Sequence, residues 1–273
     1  MVEGRDIVQG RLRIAASSYL NSAPLIWSFR RGSLRERVRL WTDAAPARCA
    51  EMLARGDVEV ALVPVIEYLR ISDTRLIPGV CVGAQERVRS VVIATRGMAL
   101  DEVHTVALDR SSRTSAALVQ IIFREFIGRE PRFVPAAPDI EGMLCEHDAA
   151  LLIGDPAMSF ERRGRRVYDL AAVWRERTGL GFVFAMWMTR YGTSVRGQDF
   201  VLARDEGLAH LDEIIAEYLP RLSLPEDELR EYLLQNISFA LDERMRAGLE
   251  LFFHLAYKHG LAPIKRPLLF NED

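Results

Sequence analysis

Short apolar runs alternate with amphipathic stretches along the first two-thirds of the chain. The runs have the length and the Val/Ile/Leu content of buried strands, and the stretches between them have apolar residues at helical spacing. The pattern predicts strands at residues 12–17, 38–42, 59–65, 76–82, 90–95, 105–108, 132–136, 149–153 and 182–188. It predicts helices from about residue 24 and at 46–55, 112–127, 139–146, 155–162 and 170–177. Such alternation indicates βαβ units and a largely parallel sheet.

The order of these elements predicts two lobes. A second round of strands and helices begins after Gly97, and from Asp199 onward the pattern is helical only, with boundaries near Pro220, Pro225 and Asp242. We predict an α/β protein whose first lobe comprises residues 1–97 and 190–273 and whose second comprises 98–189. A cleft between the lobes would receive loops from both.

Composition and charge narrow the class of protein. The chain has 273 residues, 49% of them hydrophobic, and a formal net charge of −2. That balance gives no electrostatic reason to expect nucleic acid or an anionic membrane as partner. The N-terminal stretch lacks the apolar core of a signal peptide, and no apolar run is long enough to span a bilayer. We therefore expect a cytoplasmic protein.

The three cysteines fit the same expectation. Cys49, Cys81 and Cys145 are widely spaced and form no C-x-x-C pair. An odd number of isolated cysteines is typical of reduced thiols in a reducing compartment. We expect them to be mostly buried.

Residues 12–25 contain the first candidate site. An apolar run stops at Ser17 and Ser18, turns through residues 19–22 and restarts as a helix near Pro24. Proline is tolerated in the first turn of a helix, and the hydroxyl of Ser22 could cap it. The carboxyl end of a strand feeding a helix N-terminus is also where open α/β sheets bind ligands, anions above all. A capped turn and an anion site both remain open.

Two further strand-to-helix junctions carry similar chemistry. Residues 109–115 read Asp-Arg-Ser-Ser-Arg-Thr-Ser, which places four hydroxyls and two arginines at a helix start and favours a carboxylate or phosphate. An N-cap with solvated arginines is the alternative. Gly154 and Asp155 follow a buried run and precede a proline, so Asp155 is either a cap or a ligand contact. Ser90 precedes an apolar strand and could face either way.

Several common chemistries lack their motifs. The five histidines, at 104, 147, 210, 254 and 259, lie outside these junctions and have no metal-ligand spacing, so we expect no metal. There is no Gly-x-Gly-x-x-Gly, no P-loop and no Gly-x-Ser-x-Gly. The junctions point instead to a small organic anion that carries hydroxyls or several carboxylates.

At seven places the chain resembles a known family. The matching segments are SYLNSAPL at 18–25, the run at 57–68, RSVV at 89–92, SRTS at 112–115, LLIGDPA at 151–157, YDLAAVW at 168–174 and TGLGFVFAMW at 178–187. In this order they resemble chorismate dehydratase, the first enzyme of the futalosine route to menaquinone. Gly181 departs from the family, which has proline there, and we expect the change to affect hinge stiffness more than chemistry.

The resemblance implies a bilobed, type II periplasmic-binding-protein-like fold in a cytoplasmic enzyme. It implies that water is removed from chorismate to give 3-[(1-carboxyvinyl)oxy]benzoate, with no cofactor. The family places an asparagine and a serine against the substrate, and these fall on Asn21 and Ser90. Asn21 would bond the leaving hydroxyl or a carboxylate, and Ser90 a carboxylate. The remaining expected substrate contacts are Ser18, Tyr19, Ser112, Arg113, Thr114, Ser115, Gly154 and Asp155.

No general base stands in these motifs, so a carboxylate of the substrate itself could take the proton. Other functions remain open at this point. They are a solute-binding protein that only captures a small anion, the related dihydroxynaphthoate-forming enzyme of the same pathway, and a ligand-sensing domain. The sequence leaves open whether the protein is a monomer or a dimer. It also leaves open which of Tyr19, Trp41 and Trp187 line the pocket.

Overall fold

The structure is a computed structural model and describes residues 10–271. In that part of the chain the named strands form two five-stranded sheets. The strands are β1 Leu12–Ser17, β2 Val38–Asp43, β3 Val60–Pro64, β4 Thr74–Ala84, β5 Val91–Thr95, β6 Thr105–Asp109, β7 Arg132–Ala136, β8 Ala149–Ile153, β9 Arg166–Asp169 and β10 Phe182–Arg190. The first sheet has the order β2-β1-β3-β10-β4, and the second has the order β7-β6-β8-β5-β9.

Helices connect the strands and form the C-terminal part of the chain. They are α1 Ala23–Arg30, α2 Pro46–Arg55, α3 Thr114–Ile121, α4 Ile140–Glu146, α5 Gly154–Ser159, α6 Leu170–Thr178, α7 Gly197–Ala209, α8 Leu211–Leu222, α9 Glu226–Glu231 and α10 Glu243–Lys258. One π-helical segment, Ile122–Ile127, continues α3, and another, Tyr232–Asn236, continues α9. Pro220, near a predicted boundary, lies inside the last turns of α8. The predicted helix at 155–162 is shorter in the structure, because Phe160 is already extended.

Both sheets are mixed, so the prediction of a largely parallel sheet is wrong in one strand of each. β10 runs antiparallel to β3 and β4, and β5 runs antiparallel to β8 and β9. The reason is the path of the chain between the sheets. β5 begins opposite the end of β8, at Val91 and Ile153, and β10 begins opposite the end of β4, at Phe182 and Ala84. A strand that starts where its neighbours end must run against them.

Two strands belong to a different sheet from the one that the predicted lobe boundaries give them. Residues 91–95 form β5 of the second sheet, although the predicted division at Gly97 groups them with the first lobe. Residues 182–190 form β10 of the first sheet, although the prediction groups most of them with the second lobe. Local periodicity identifies a strand but says nothing about which sheet it joins.

The extent of burial explains which strands could be predicted from the sequence. Every residue of Val60–Pro64 and of Ala149–Ile153 is buried, as expected for central strands covered on both faces. β9 Arg166–Asp169 escaped prediction because it is a short edge strand, paired only with β5, with no buried residue. Two of the cysteines, Cys49 and Cys81, are buried and unpaired, and Cys145 is exposed and unpaired.

The C-terminal helices hold both sheets together. α7 packs against α1 of the first sheet, and α10 contacts both β10 and α3. Two glycines allow close approach. A Cβ at Gly207 would lie 1.9 Å from the carbonyl oxygen of Pro24, and one at Gly248 would lie 2.0 Å from that of Gly181. The carbonyl oxygen of Gly181, at the position where the resemblance implies proline, thus lies directly against α10.

Replacing Gly207 tests this packing. In an open helix Gly→Ala is stabilising by about 1 kcal/mol. Against the Pro24 carbonyl, we expect Gly207→Ala to lower the free energy of unfolding by about 1–3 kcal/mol instead, since overpacking forces backbone shifts. Chemical denaturation measures the difference. Leu202→Ala, at a half-exposed position of the same helix, is the control and should change stability less. A more stable Gly207→Ala variant would contradict the close contact.

Candidate active site

A cavity lies between the two sheets, at the edge where the parallel strands of both end, with about 520 Å³ of empty space when its solvent-open mouth is included. The polar lining comes from both sides and consists of Ser17, Tyr19, Asn21, Ser22, Ser111, Ser112, Arg113, Thr114, Ser115 and Gly154. The apolar lining consists of Pro46, Leu62, Pro64, Val82, Val91, Ile153, Phe184 and Ala185. Of the predicted site residues, Ser18, Ser90 and Asp155 are outside this lining.

Asn21 enters the cavity from a tight turn between β1 and α1. Leu20–Ser22 form a 3-10 turn that runs directly into the helix. The expected capping role of Ser22 is wrong, because this residue already has a helical backbone and its hydroxyl makes no capping bond. The hydroxyl lies 2.6 Å from the Ser17 hydroxyl and donates to Asn21 Oδ1 at 3.3 Å. These contacts fix one end of the Asn21 amide.

Tyr19 crosses from the first sheet to the second. Its ring packs on Gly154, where an added Cβ would lie 2.5 Å from the ring carbons. Gly154 also has φ +62°, so both the backbone and the contact require glycine. Burial raises the pKa of the Tyr19 phenol to about 12, against the lowering effect of a hydrogen bond with Ser111. The phenol therefore stays protonated near neutral pH.

Ser18 is held through its backbone. Its N–H donates to the Asp43 carbonyl at 2.9 Å, and its carbonyl accepts from the Tyr218 hydroxyl at 2.8 Å. These bonds fix the turn that carries Tyr19 and Asn21. A contact between the Ser18 side chain and substrate remains a prediction.

The start of α3 forms the opposite wall. Ser112, Arg113, Thr114 and Ser115 all line the cavity, and Arg113 takes the N-cap position without a side-chain capping bond. The first amides of a helix have no intrahelical partner and carry its positive end. Together with the hydroxyls of Ser112 and Ser115, they suit an anion.

The guanidinium of Arg113 is already engaged by acidic residues on the side of the first sheet. It donates to Glu67 at 2.9 Å and to Glu51 at 2.8 Å. Glu67 is almost fully buried and also accepts from Arg70 at 3.0 Å. Thr114 makes a second link, because its hydroxyl accepts from the Ile66 N–H at 3.3 Å. Arg113 and Thr114 thus join the two sides of the cleft.

Asp155 also bridges the cleft. It lies in α5, whose N-cap residue is Ile153, and its Oδ1 accepts from the Leu20 N–H at 3.0 Å. The carboxylate therefore contacts the turn that bears Asn21 and does not cap its own helix. Burial raises the pKa of Asp155 to about 6, against the lowering effect of the Leu20 bond.

Ser90 lies behind the wall formed by Val91 and Gly154 and is fully buried. Its carbonyl accepts from the Gly154 N–H at 2.7 Å, and its Oγ accepts from the Tyr232 hydroxyl at 2.7 Å. The preceding residue, Arg89, has φ +62°, an uncommon conformation for a residue with a side chain. Its N–H is fixed by Asp169 Oδ2 at 2.6 Å. Such strain is typical of functional segments.

Sequence reasoning did not single out several residues in or behind the site, among them Ser111, Phe184 and Tyr232. Ser111 lies within the segment 109–115 but was not singled out, and Phe184 lies within a predicted strand. Tyr232 comes from the C-terminal helices, and nothing in its local pattern distinguishes it from a core residue. Of the undecided aromatics, Tyr19 lines the cavity and Trp187 is fully buried. Trp41 packs against Arg39 outside the lining.

The lining offers hydrogen-bond donors and little charge. Among the described residues that surround the cavity, Arg113 is the one charged side chain, and none is Asp, Glu or His. Residues 10–271 contain no cluster of three His, Cys, Asp or Glu side chains able to hold a metal ion. Over the same range, no helix has the length and apolarity needed to cross a membrane. The site suits an anionic ligand that is held by hydroxyls, an amide and helix amides.

Comparisons with known sequences agree with the resemblance. A family model described as menaquinone biosynthesis matches residues 12–258. The chorismate dehydratase of Thermus thermophilus is 33% identical over 255 residues, which cover 86% of this chain and 91% of the relative.

Comparisons with solved structures concern the fold. A protein of Archaeoglobus fulgidus superposes with a TM-score of 0.76 at 18% identity, covering 93% of this chain and 99% of that one. The periplasmic aliphatic sulphonate binding protein of Escherichia coli superposes with a TM-score of 0.64 at 16% identity, covering 96% and 94%. The predicted periplasmic-binding-protein-like fold is confirmed.

Replacing Asp155 tests its buried charge. Below about pH 4 the carboxyl is protonated in both the folded and the unfolded protein, and above about pH 6 it is ionised in both. Between these values the folded protein keeps a proton that the unfolded chain releases, so its stability falls as pH rises. Asp155→Asn keeps the acceptor for Leu20 without a charge. We expect its Tm to match the parent at pH 4 and to exceed it by at least about 2 °C at pH 7.

Thermal unfolding between pH 4 and 7 measures this difference. Asp101→Asn, at an exposed carboxyl, is the control and should run parallel to the parent across the range. If the Tm of Asp155→Asn also ran parallel to that of the parent between pH 4 and 7, the buried charge would not lower stability in this way.

Proposed function

This chain belongs to the menaquinone-biosynthesis family, and on that premise we propose that it is a chorismate dehydratase, a hydro-lyase. What carries the proposal is the 33% identity to a chorismate dehydratase over 86% of the chain. The cavity between the sheets supports it, because its donors suit a substrate with two carboxylates and a hydroxyl. The product is 3-[(1-carboxyvinyl)oxy]benzoate.

The reaction removes one water from chorismate. A ring proton and the neighbouring hydroxyl leave, and the ring becomes aromatic, which supplies much of the driving force. The protein therefore has to hold the substrate in the eliminating geometry, assist the departing hydroxide and exclude bulk water. Closure of the cleft by Arg113, Thr114 and Asp155 supports the last of these tasks.

The two walls of the cavity have different tasks in the proposal. The start of α3, with Ser112 and Ser115, binds one carboxylate through hydroxyls and helix amides. Asn21, on the wall of the first sheet, bonds the leaving hydroxyl or the second carboxylate. Ser90, which lies behind Val91 and Gly154 on the side of the second sheet, bonds a carboxylate. Arg113 contributes mainly by closing the cleft, since two glutamates already share its charge.

A carboxylate of the substrate takes the ring proton in this proposal. Its support is the lining itself, in which the described residues include no carboxylate or imidazole. Two carboxyl groups close to the lining have protein partners, since Asp155 accepts from Leu20 and Asp109 Oδ1 accepts from Ser111. No cofactor takes part.

We place the enzyme in the cytoplasm, in the futalosine route to menaquinone, with chorismate as its small-molecule partner. The unpaired state of Cys49, Cys81 and Cys145 fits a reducing compartment.

A solute-binding protein is the second candidate, because the fold is shared with a sulphonate-binding protein. The dihydroxynaphthoate-forming enzyme of the same pathway is the third. Incubating the purified protein with chorismate and following product by absorbance and mass spectrometry separates all three. We expect an aromatic product one water lighter than chorismate. Binding without turnover would favour the solute-binding protein, and neither binding nor turnover would reject both readings.

Asn21→Ala tests the proposed site. We expect its turnover of chorismate to fall by about 100-fold or more, because losing one aligned donor in a water-excluded site typically costs that much. Gln120→Ala is the matched control, since it removes an amide whose hydrogen bond is to the Ala116 carbonyl within its own helix. Full turnover by Asn21→Ala with unchanged substrate affinity would reject the assignment.

A further inference from the structure

We infer that Tyr232 is a positioning residue of this site, one whose phenol holds the Ser90 hydroxyl and sets the direction in which it donates. The inference rests on the proposed function, because it assigns a role to a side chain through which that reaction would act. Tyr232 does not line the cavity and therefore acts through its neighbours.

Tyr232 is fixed where it meets Ser90. It begins the π-helical segment after α9 and is 1% exposed. Its hydroxyl donates to Ser90 Oγ at 2.7 Å. Burial raises the pKa of the phenol, so the hydroxyl stays protonated and can donate at neutral pH.

Two ion pairs hold this helical segment to the strand that carries Ser90. Arg89, the residue before Ser90, pairs with Glu228 at 2.7 Å and with Glu231 at 3.9 Å. Both glutamates precede Tyr232 within one turn. The phenol and the Ser90 hydroxyl are therefore anchored to each other through the backbone on both sides.

The direction of this hydrogen bond matters for Ser90. A serine hydroxyl has a single proton, and that of Ser90 is not used in accepting from Tyr232. In the proposed reaction that proton is donated to a carboxylate of the substrate.

Removing the Tyr232 hydroxyl would abolish this fixed orientation without leaving a cavity in the core. In Tyr232→Phe the ring remains, but Ser90 loses the donor at its Oγ. The Ser90 hydroxyl can then turn to other orientations. Misplaced catalytic groups cost rate more than binding.

The test measures steady-state turnover of chorismate by Tyr232→Phe. We expect kcat to fall at least about 10-fold, with a change in KM smaller than about threefold, since small misplacements cost up to about 100-fold in rate. Tyr68→Phe is the matched control. Tyr68 is also fully buried, and its hydroxyl donates to Pro267 at 2.7 Å and accepts from Leu269 at 2.9 Å, in the C-terminal segment. It should lose comparable stability and keep kcat.

A double-mutant cycle separates positioning from general loss of structure. In a Ser90→Ala background the phenol has lost the group that it orients. The cost of Tyr232→Phe should therefore shrink at least about threefold there, the coupling expected for contacting residues. Equal costs in both backgrounds, or an unchanged kcat in the single variant, would overturn the inference.

A measurement that does not depend on catalysis distinguishes a failure of the positioning role from a failure of the proposed function. The backbone ¹H–¹⁵N resonances of Ser90 and of Gly154, whose N–H donates to the Ser90 carbonyl, should shift in Tyr232→Phe and stay in place in Tyr68→Phe. If the parent protein fails to dehydrate chorismate, the proposed function fails, and these resonances still decide the contact. No shift in Tyr232→Phe would overturn the positioning role even in an active enzyme.

Discussion

The buried ion pair between Glu67 and Arg113 is the contact on which the closed cavity depends. A carboxylate taken out of water is costly unless opposite charge and hydrogen bonds compensate it. Glu67 receives Arg70 from its own segment and Arg113 from the start of α3 in the other half of the cleft. Separating the two sides would leave Glu67 with half of that compensation. The pair thereby fixes the first turn of α3, and with it Ser112 and Ser115, over the turn that bears Asn21.

The same burial that closes the cleft keeps its hydroxyls neutral. Desolvation raises the pKa of Tyr19 to about 12 and raises that of Tyr232 as well, so both phenols are donors at neutral pH. A dianionic substrate then brings its own charge into a lining that supplies donors. In a site with little water each such donor acts more strongly than it would in solution. A protein carboxylate in the lining would repel this substrate, which is a physical reason for the substrate to supply the base.

The sequence predicted most of the fold because most strands can be identified from the residues of the strand itself. Buried runs such as Val60–Pro64 and Ala149–Ile153 have no polar interruption, and α2 begins with Pro46 and ends before Gly56. The lobe to which a strand belongs is not local, which is why residues 91–95 and 182–190 were grouped with the wrong neighbours. The site divides in the same way. Tyr19, Asn21 and Gly154 follow from strand-to-helix junctions, whereas the partners of Ser22 and Asp155 depend on residues that only folding brings together.

The C-terminal helices show why a binding fold can hold an enzyme. A cleft between two sheets needs only shape and donors to capture an anion, and proteins with this fold do so at low sequence identity. Catalysis asks in addition that each donor point at the charge that develops during reaction. Single hydroxyls and amides can rotate, so their direction has to be imposed by a second layer. Here that layer comes from the segment after α9, which reaches Ser90 through Tyr232, and from α8, whose Tyr218 holds the backbone of Ser18. Helical segments whose sequence suggests only core packing thus set the direction of hydrogen-bond donors that lie more than 140 residues away along the chain.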